Sequence, residues 1–229
     1  MQAVPFAKAL SPSQMRLAEW SGKHYAVPFS AESSFLLYNK GLFKKAGLDP
    51  EKPPKNFAEI EEAAKKITAL KGGVKGFYFS GACGSCNIFT MTPYVWASGG
   101  DILSDDGTKE TLDTPALRST LSLYRRLWES KSMPVGVKTD GGNNFISPFF
   151  TGKIGMMGTG AFAIGILKKE HPEIDFGVAP LPGEKSGSAS FAGGDSIAIP
   201  VNSKHKKEAW EFIVWSLSEE VQVEQFAKN

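Results

Sequence analysis

Cys83 and Cys86 stand in a C-G-S-C run where an apolar stretch gives way to a helical pattern. A helix N-terminus stabilises a thiolate, so a thiol redox pair is one reading of that spacing. A structural disulfide and two ordinary thiols in a loop are the others. A redox enzyme would also show a Trp or a cis-proline loop around the pair and a thioredoxin-like order of strands, and neither is evident. The carboxylates Asp101, Asp105, Asp106, Asp140 and Asp195 cluster beside glycines or beside one another, the usual setting of turn formers. A glycosidase needs two carboxyls at a defined separation across a sugar, which sequence spacing does not define. His24 and His205 flank lysines and His171 sits in K-K-E-H-P, leaving a Ser or Cys nucleophile without an evident base. Two Cys and three His are too few for a zinc framework. The G-T-G-A-F turn lacks the G-K-S/T of a phosphate loop. No metal and no cofactor is expected.

The same residues suit non-covalent binding. Sugars offer apolar C–H faces and rings of hydroxyls, so their sites mix aromatic platforms with hydrogen-bonding groups. Four such mixtures fall at inferred strand ends: Ser30/Glu32/Ser33, Asn87 with Tyr94 and Trp96, Thr159/Gly160/Phe162, and Gly193/Gly194/Asp195/Ser196. In open α/β sheets the loops after strands gather at one crevice, which would bring the four together. Tyr94 and Trp96 on an apolar helix also fit a core, Glu32 fits a surface, and Asp195 fits a turn cap.

The positioning elements follow from periodicity. Apolar runs Tyr25 to Phe29 and Phe35 to Tyr38 read as strands separated by a polar break, Ser30 to Ser34, and a short helix ends at Gly47. Pro12 to Trp20 reads as a short helix. Asn56 to Leu70 is the clearest helix, with Asn56 as cap, Glu59 three residues on, and Phe57, Ile60, Ala64 and Ile67 on one face. Val74 to Phe79 reads as a buried strand, Ile88 to Ser98 as a helix, and the D-D-G run as a hairpin turn. Thr114 and Pro115 open a long helix carrying Leu117, Leu121, Tyr124 and Trp128. Asp175 to Leu181 reads as a strand, and Lys206 to Leu217 and Glu219 to Ala227 as terminal helices.

The 229 residues are 41% hydrophobic and 22% charged, enough for a sizeable core in one large domain or two small ones. The 26 basic and 24 acidic residues are interspersed, which argues against a nucleic-acid surface. Met1 to Leu10 lacks the basic start and apolar core of a signal peptide. No apolar run approaches the ~20 residues that span a bilayer.

G-K-H-Y-A-V-P-F-S followed by L-L-Y-N-K-G-L-F-K-K-A-G-L-D-P-E-K-P-P-K-N-F-A-E-I resembles the extracytoplasmic solute-binding proteins of ABC sugar importers, family 1, the maltose- and glycerol-phosphate-binding type. F-F-T-G-K-I-G-M-M-G-T-G-A-F is similar to that family's F-x-x-G-K-x-A-M-M-x-x-G block, and F-A-G-G-D-S-I-A-I-P-V-N-S-K-H-K-K-E-A-W-E-F is again close to its wording. The resemblance implies an α/β fold: a periplasmic-binding-protein-like lobe, a mixed sheet flanked by helices, with partial elements of a second lobe. Residues 1–31 would be a remnant of the first lobe with its crossover, 32–190 the second, ligand-binding lobe, and 191–229 the return crossover and helices of the first. Most of the first lobe is missing from that scheme, so the chain reads as a fragment of a periplasmic, or extracellular and membrane-anchored, protein.

The implied function is non-covalent capture of a carbohydrate between two lobes for delivery to ABC permease subunits, without enzymatic turnover. Ser30, Glu32, Ser33, Asn87, Tyr94, Trp96, Gly160, Phe162, Gly194 and Asp195 would be the ligand-binding residues. An exported protein favours a local Cys83–Cys86 disulfide. The ligand would be a mono- or oligosaccharide or a glycerol phosphate. Two sequence features depart from the family. G-T-G-A-F stands where many relatives place a Trp after the second glycine, and C-G-S-C alters a loop that often carries a ligand aromatic. The rival class is an enzyme, either a thiol oxidoreductase using Cys83 and Cys86 or a carbohydrate hydrolase. Self-association through apolar surface left by the missing lobe is a further expectation.

Overall fold

The computed structural model describes residues 10–143 and 145–227. Residues 1–9, most of the stretch read above for an export signal, lie outside the described residues, as does Asn144 of the glycine- and asparagine-rich loop. The chain divides into two compact units, Ser33–Phe191 and a second built from Met1–Glu32 and Ala192–Asn229.

The sheet of the Ser33–Phe191 unit is organised around strand β1, Glu32–Asn39. It is followed by helix α1 (Lys40–Lys45), α2 (Phe57–Thr68), β2 (Lys75–Tyr78), α3 (Gly84–Thr90), α4 (Thr92–Ala97) and α5 (Pro115–Glu129). Next come α6 (Ser147–Phe150), β3 (Ile154–Gly160), α7 (Phe162–Glu170) and β4 (Phe176–Ala179). β1 pairs antiparallel with β3, Leu36 opposite Gly158, and on its other side antiparallel with β4, Leu36 opposite Ala179. β3 pairs in parallel with β2, Phe77 opposite Met156. The sheet is therefore mixed, in the order β4-β1-β3-β2, as the resemblance implies.

Sequence explains why these segments hold. α2 begins where Asn56 Oδ1 accepts the Glu59 N–H at 2.9 Å, while the Glu59 carboxylate accepts from Asn56 Nδ2 and from the Lys55 N–H. Such a reciprocal cap contributes about 1 kcal/mol. Its inward face, Phe57, Ile60, Ala63, Ala64 and Ile67, is buried. These residues join Leu36, Leu37, Phe77, Leu123, Leu127, Phe149, Met156 and Met157 in one continuous core. Each fully buried large side chain contributes roughly 1.5–3 kcal/mol against solvent exposure. α5 starts as expected, with Thr114 Oγ1 accepting the Leu117 N–H at 3.2 Å and Pro115 in the first turn.

Three expectations are corrected. The helix anticipated over Ile88 to Ser98 is two helices, α3 and α4, meeting at Met91. Pro93 brings no N–H and crowds the preceding turn, so the chain breaks there. The polar break is shorter than expected, because β1 already begins at Glu32. Ser34 is buried in the strand, its hydroxyl accepting the Phe191 N–H at 2.9 Å. The helix expected over Pro12 to Trp20 stops at Leu17, and Glu19–Trp20 pairs with Lys23–His24 in a hairpin. Ser21 and Gly22 both take positive φ, 50° and 72°, the two-residue turn that matches strand twist.

In the second unit, Val27–Pro28 pairs antiparallel with Ser196–Ile197, and Ile213 of helix Lys206–Ser216 packs with Val27 and with Leu217, the residue that ends the helix.

Candidate functional site

Most of the residues expected to meet a ligand lie in two clusters, one in each unit. In the Ser33–Phe191 unit the ends of β1 and β3 lie side by side: Ser34 stands opposite Gly160, and the Ala161 N–H donates to the Ser33 carbonyl at 3.2 Å. Ser33 is exposed, and Phe162, one residue beyond that bond, remains 41% exposed at the start of α7. Phe145 leans against Phe162, the ring centres 6.1 Å apart.

On the other side of Ser34 the chain delivers Phe191. Its carbonyl accepts the Ser34 N–H at 3.3 Å, and Ser190 Oγ donates to the Ser34 carbonyl at 2.8 Å. The Phe191 ring stacks on Trp96 at 5.8 Å and 25°, and Phe89 meets it edge-on at 5.6 Å. All three rings are half-buried. The Trp96 indole N–H donates to Asp101 Oδ1 at 2.7 Å, and the same oxygen accepts the Ile102 N–H. Burial pushes the Asp101 carboxyl up, but these donors more than offset it and hold it below the usual carboxylate range. Contacts thus run from Trp96 through Phe191 and Ser34 to Ser33, Ala161 and Phe162, giving a patch of aromatic faces beside serine and backbone polar groups.

Asn87, on α3, donates through Nδ2 to the Ser80 carbonyl at 3.3 Å, and its buried Oδ1 has no partner among the described residues. Buried Thr159 Oγ1, just before Gly160, is likewise without one. Tyr94 is elsewhere. It is fully buried, edge-on to Phe57 at 5.7 Å and Tyr124 at 6.3 Å, and burial pushes its hydroxyl well above the usual range. Where a ligand-facing ring was one expectation, the structure places the Tyr94 side chain inside the core. The helical phase that turns Trp96 outward turns its neighbour two residues earlier into the core.

Cys83 and Cys86 are joined in a disulfide. Behind it lies a polar knot: Asp140 Oδ2 accepts from Tyr78 Oη and Ser80 Oγ, each at 2.6 Å, and Asp140 Oδ1 accepts the Gly142 N–H at 3.0 Å. Burial raises Asp140, yet these three donors leave it below the ordinary carboxylate value. Burial, reinforced by Asp140, raises the Tyr78 hydroxyl.

The second cluster joins Ser30, Gly194 and Asp195. Ser30 Oγ donates to Asp195 Oδ2 at 3.0 Å and accepts the Asp195 N–H at 3.0 Å. The Asp195 carbonyl accepts the Phe29 N–H at 2.7 Å, and Gln14 Nε2 bridges the Ser30 and Gly193 carbonyls. Gly194 has φ 127°, and a Cβ there would strike the Ser30 carbonyl. These groups tie two adjacent segments together, and the Ser30 hydroxyl is occupied in both hydrogen-bonding roles. Glu32, at the start of β1, is half-buried. Phe191 and Phe145 were not singled out from sequence, although an aromatic just before A-G-G-D-S was a signal for the first.

Among the described residues no group of three or more His, Cys, Asp or Glu is placed to hold a metal ion.

The sequence profile described as bacterial extracellular solute-binding protein matches residues 2–223. A binding protein of Brucella abortus (strain 2308) is 34% identical over 205 residues, 89% of this chain and 48% of its own length. The maltotriose-binding protein of Pyrococcus abyssi is 26% identical over 223 residues, 95% of this chain and 45% of its own. An ABC transporter solute-binding protein from Thermotoga lettingae, solved with α-D-tagatose, superposes with TM-score 0.88 at 26% identity, covering 98% of this chain and 57% of that one. The chain spans about half the length of the curated relatives it matches.

Proposed function

The chain belongs to the family of bacterial extracellular solute-binding proteins, and from that premise we propose that it binds a carbohydrate non-covalently for ABC-type import. The observation carrying the reading is the patch on the Ser33–Phe191 unit. Trp96, Phe191 and Phe162 offer ring faces to sugar C–H groups, and the exposed Ser33 stands beside them with polar groups that would meet hydroxyls. The relatives that bind maltotriose and α-D-tagatose support a sugar and leave its length open.

In this reading Ser33–Phe191 is the ligand-binding lobe, and the segments on either side belong to the other lobe of a longer protein. Ser30, Gly194 and Asp195 act as a tie in the crossover segments. The protein works in the periplasm or outside the cell, its loaded form is recognised by ABC permease subunits, and it turns over nothing. A thiol oxidoreductase is disfavoured by the packing of the Cys83–Cys86 bridge against the Gly142 backbone. A hydrolase is disfavoured because Asp101, which Trp96 contacts, and Asp140 are engaged by donors.

Isothermal titration of the chain against maltotriose, tagatose, maltose and glycerol 3-phosphate tests this, with the sugar recovered afterwards. The reading expects saturable heat with at least one and the sugar returned unchanged. Phe162→Ala should weaken that binding about tenfold or more with little loss of stability, since the ring is 41% exposed. Conversion of the sugar, or no heat with any member of the panel from folded protein, contradicts it.

A further inference from the structure

The disulfide sits where two loops of the candidate site are fastened to each other. The Gly81 N–H donates to the Val137 carbonyl at 2.8 Å and the Ala82 N–H to the Asp140 carbonyl at 2.9 Å. Asp140 then holds Gly142, whose carbonyl accepts the Phe145 N–H at 3.2 Å. Gly142, at φ 90°, lies directly on the bridge: a Cβ there would come within 2.6 Å of both sulfurs. Phe145 follows three residues later and leans on Phe162. The disulfide is thus the floor of the turn that props one aromatic of the patch.

We propose that the Cys83–Cys86 disulfide is a thiol-sensitive brace: intact, it holds Asp140 and Gly142 in place and Phe145 against Phe162, and its reduction releases them. Sulfurs that are no longer bonded must part from about 2 Å to roughly 3.5 Å or more. Gly142 lies against both sulfurs on one side, so parting in that direction displaces it. The two sulfurs are inequivalent. Cys83 is buried, 8% exposed, whereas Cys86 is half-buried and follows the exposed Gly84 and Ser85. Cys83 Sγ also accepts the Cys86 N–H at 3.2 Å and lies 3.7 Å from Ser85 Oγ, so it is the better leaving thiolate.

The reductant is a dithiol. Its thiolate attacks Cys86 Sγ, the Cys83–Cys86 bond breaks, and Cys83 leaves as a thiolate that takes up a proton. The reductant's second thiol then attacks the mixed disulfide and expels Cys86, giving two protein thiols and one oxidised dithiol.

The brace itself is independent of any ligand; only its consequence at Phe162 rests on the sugar-binding reading. Hydrogen exchange of the sugar-free chain, with and without dithiothreitol, therefore tests it whether or not a sugar binds. The amides of Gly81, Ala82, Gly142 and Phe145 should exchange about tenfold or more faster after reduction, while those of α2 and β1 hold. The double variant Cys83→Ala/Cys86→Ala should exchange fast at the same amides without reductant. Unchanged exchange at these four amides in reduced, folded protein overturns the proposal. So does uniform acceleration across α2 and β1, which would make the bridge a global staple. With glutathione, a single thiol, the trapped mixed disulfide should map to Cys86, and mapping to Cys83 overturns the assigned direction of attack.

Discussion

The two units differ in what holds them. In Ser33–Phe191, 28 buried apolar residues among those described form one cluster under the mixed sheet β4-β1-β3-β2. In the other unit only Val27, Ile213 and Leu217 form a buried cluster among the described residues, with Leu10, Phe29, Ile197, Ile199 and Trp210 packed partly against them. Its strands are two residues long, and large apolar side chains face outward, Trp20 at 75% and Val201 at 81% exposure. Apolar cavities of about 460 Å³ and 400 Å³ open along Trp210 and along Phe212 and Trp215. Stability scales with apolar area removed from water, so one unit has a core to spare and the other depends on individual hydrogen bonds. The candidate ligand patch rests on the first, where helices α4 and α7 carry Trp96 and Phe162.

Core truncation sharpens the contrast most. Leu36→Ala, in the middle of β1, should cost about 2–5 kcal/mol in urea unfolding, because sheet and helices enclose it and the cavity cannot collapse. Ile213→Ala should fall at the low end, about 2 kcal/mol, because half-exposed neighbours can close over it. An equal cost at both would erase the distinction between the units.

Asp140→Asn comes next. It weakens the bonds from Tyr78, Ser80 and Gly142, so a loss of about 1–3 kcal/mol confined to the larger unit is expected, read by exchange at Gly142. The pH dependence has a definite sign. Asp140 is lowered in the folded state, so its contribution is complete above the unfolded carboxylate value and is lost as pH falls through the lower folded one. Protection of the Gly142 amide should hold at neutral pH and fail only below the ordinary carboxylate range. Failure above that range contradicts the assigned network.

Ser30→Ala removes both side-chain bonds to Asp195 and should loosen the smaller unit by about 1 kcal/mol, leaving the larger one untouched in the same exchange experiment. The smallest effect belongs to Asp101→Asn. It keeps an acceptor for the Trp96 indole but weakens it, so stability should barely move while the indole N–H signal of Trp96 shifts.

Periodicity and capping chemistry made much of the larger unit legible. Asn56 with Glu59 marked the start of α2 and Thr114-Pro115 that of α5, because those motifs satisfy backbone donors locally. The C-G-S-C spacing favours a bridge only through the export that the resemblance implies, since sequence does not measure the distance between sulfurs. Trp96 and Tyr94 fall on one apolar helix, and only the packing of Phe57 and Tyr124 decides that Tyr94 faces inward. Phe191 lies 95 residues beyond Trp96 in the chain, so their stacking is a product of tertiary structure. The short strands of the smaller unit left almost no periodic signal to read.

The account stands most directly on where a sugar touches the chain. An amide and indole NMR titration with the sugar that gives heat in the calorimetric panel tests this. Saturable shifts at the Trp96 indole and at the amides of Ser33, Gly160, Phe162 and Phe191 are the predicted result. Saturable binding that leaves all five signals in place, with shifts confined to other parts of the chain, would contradict the account.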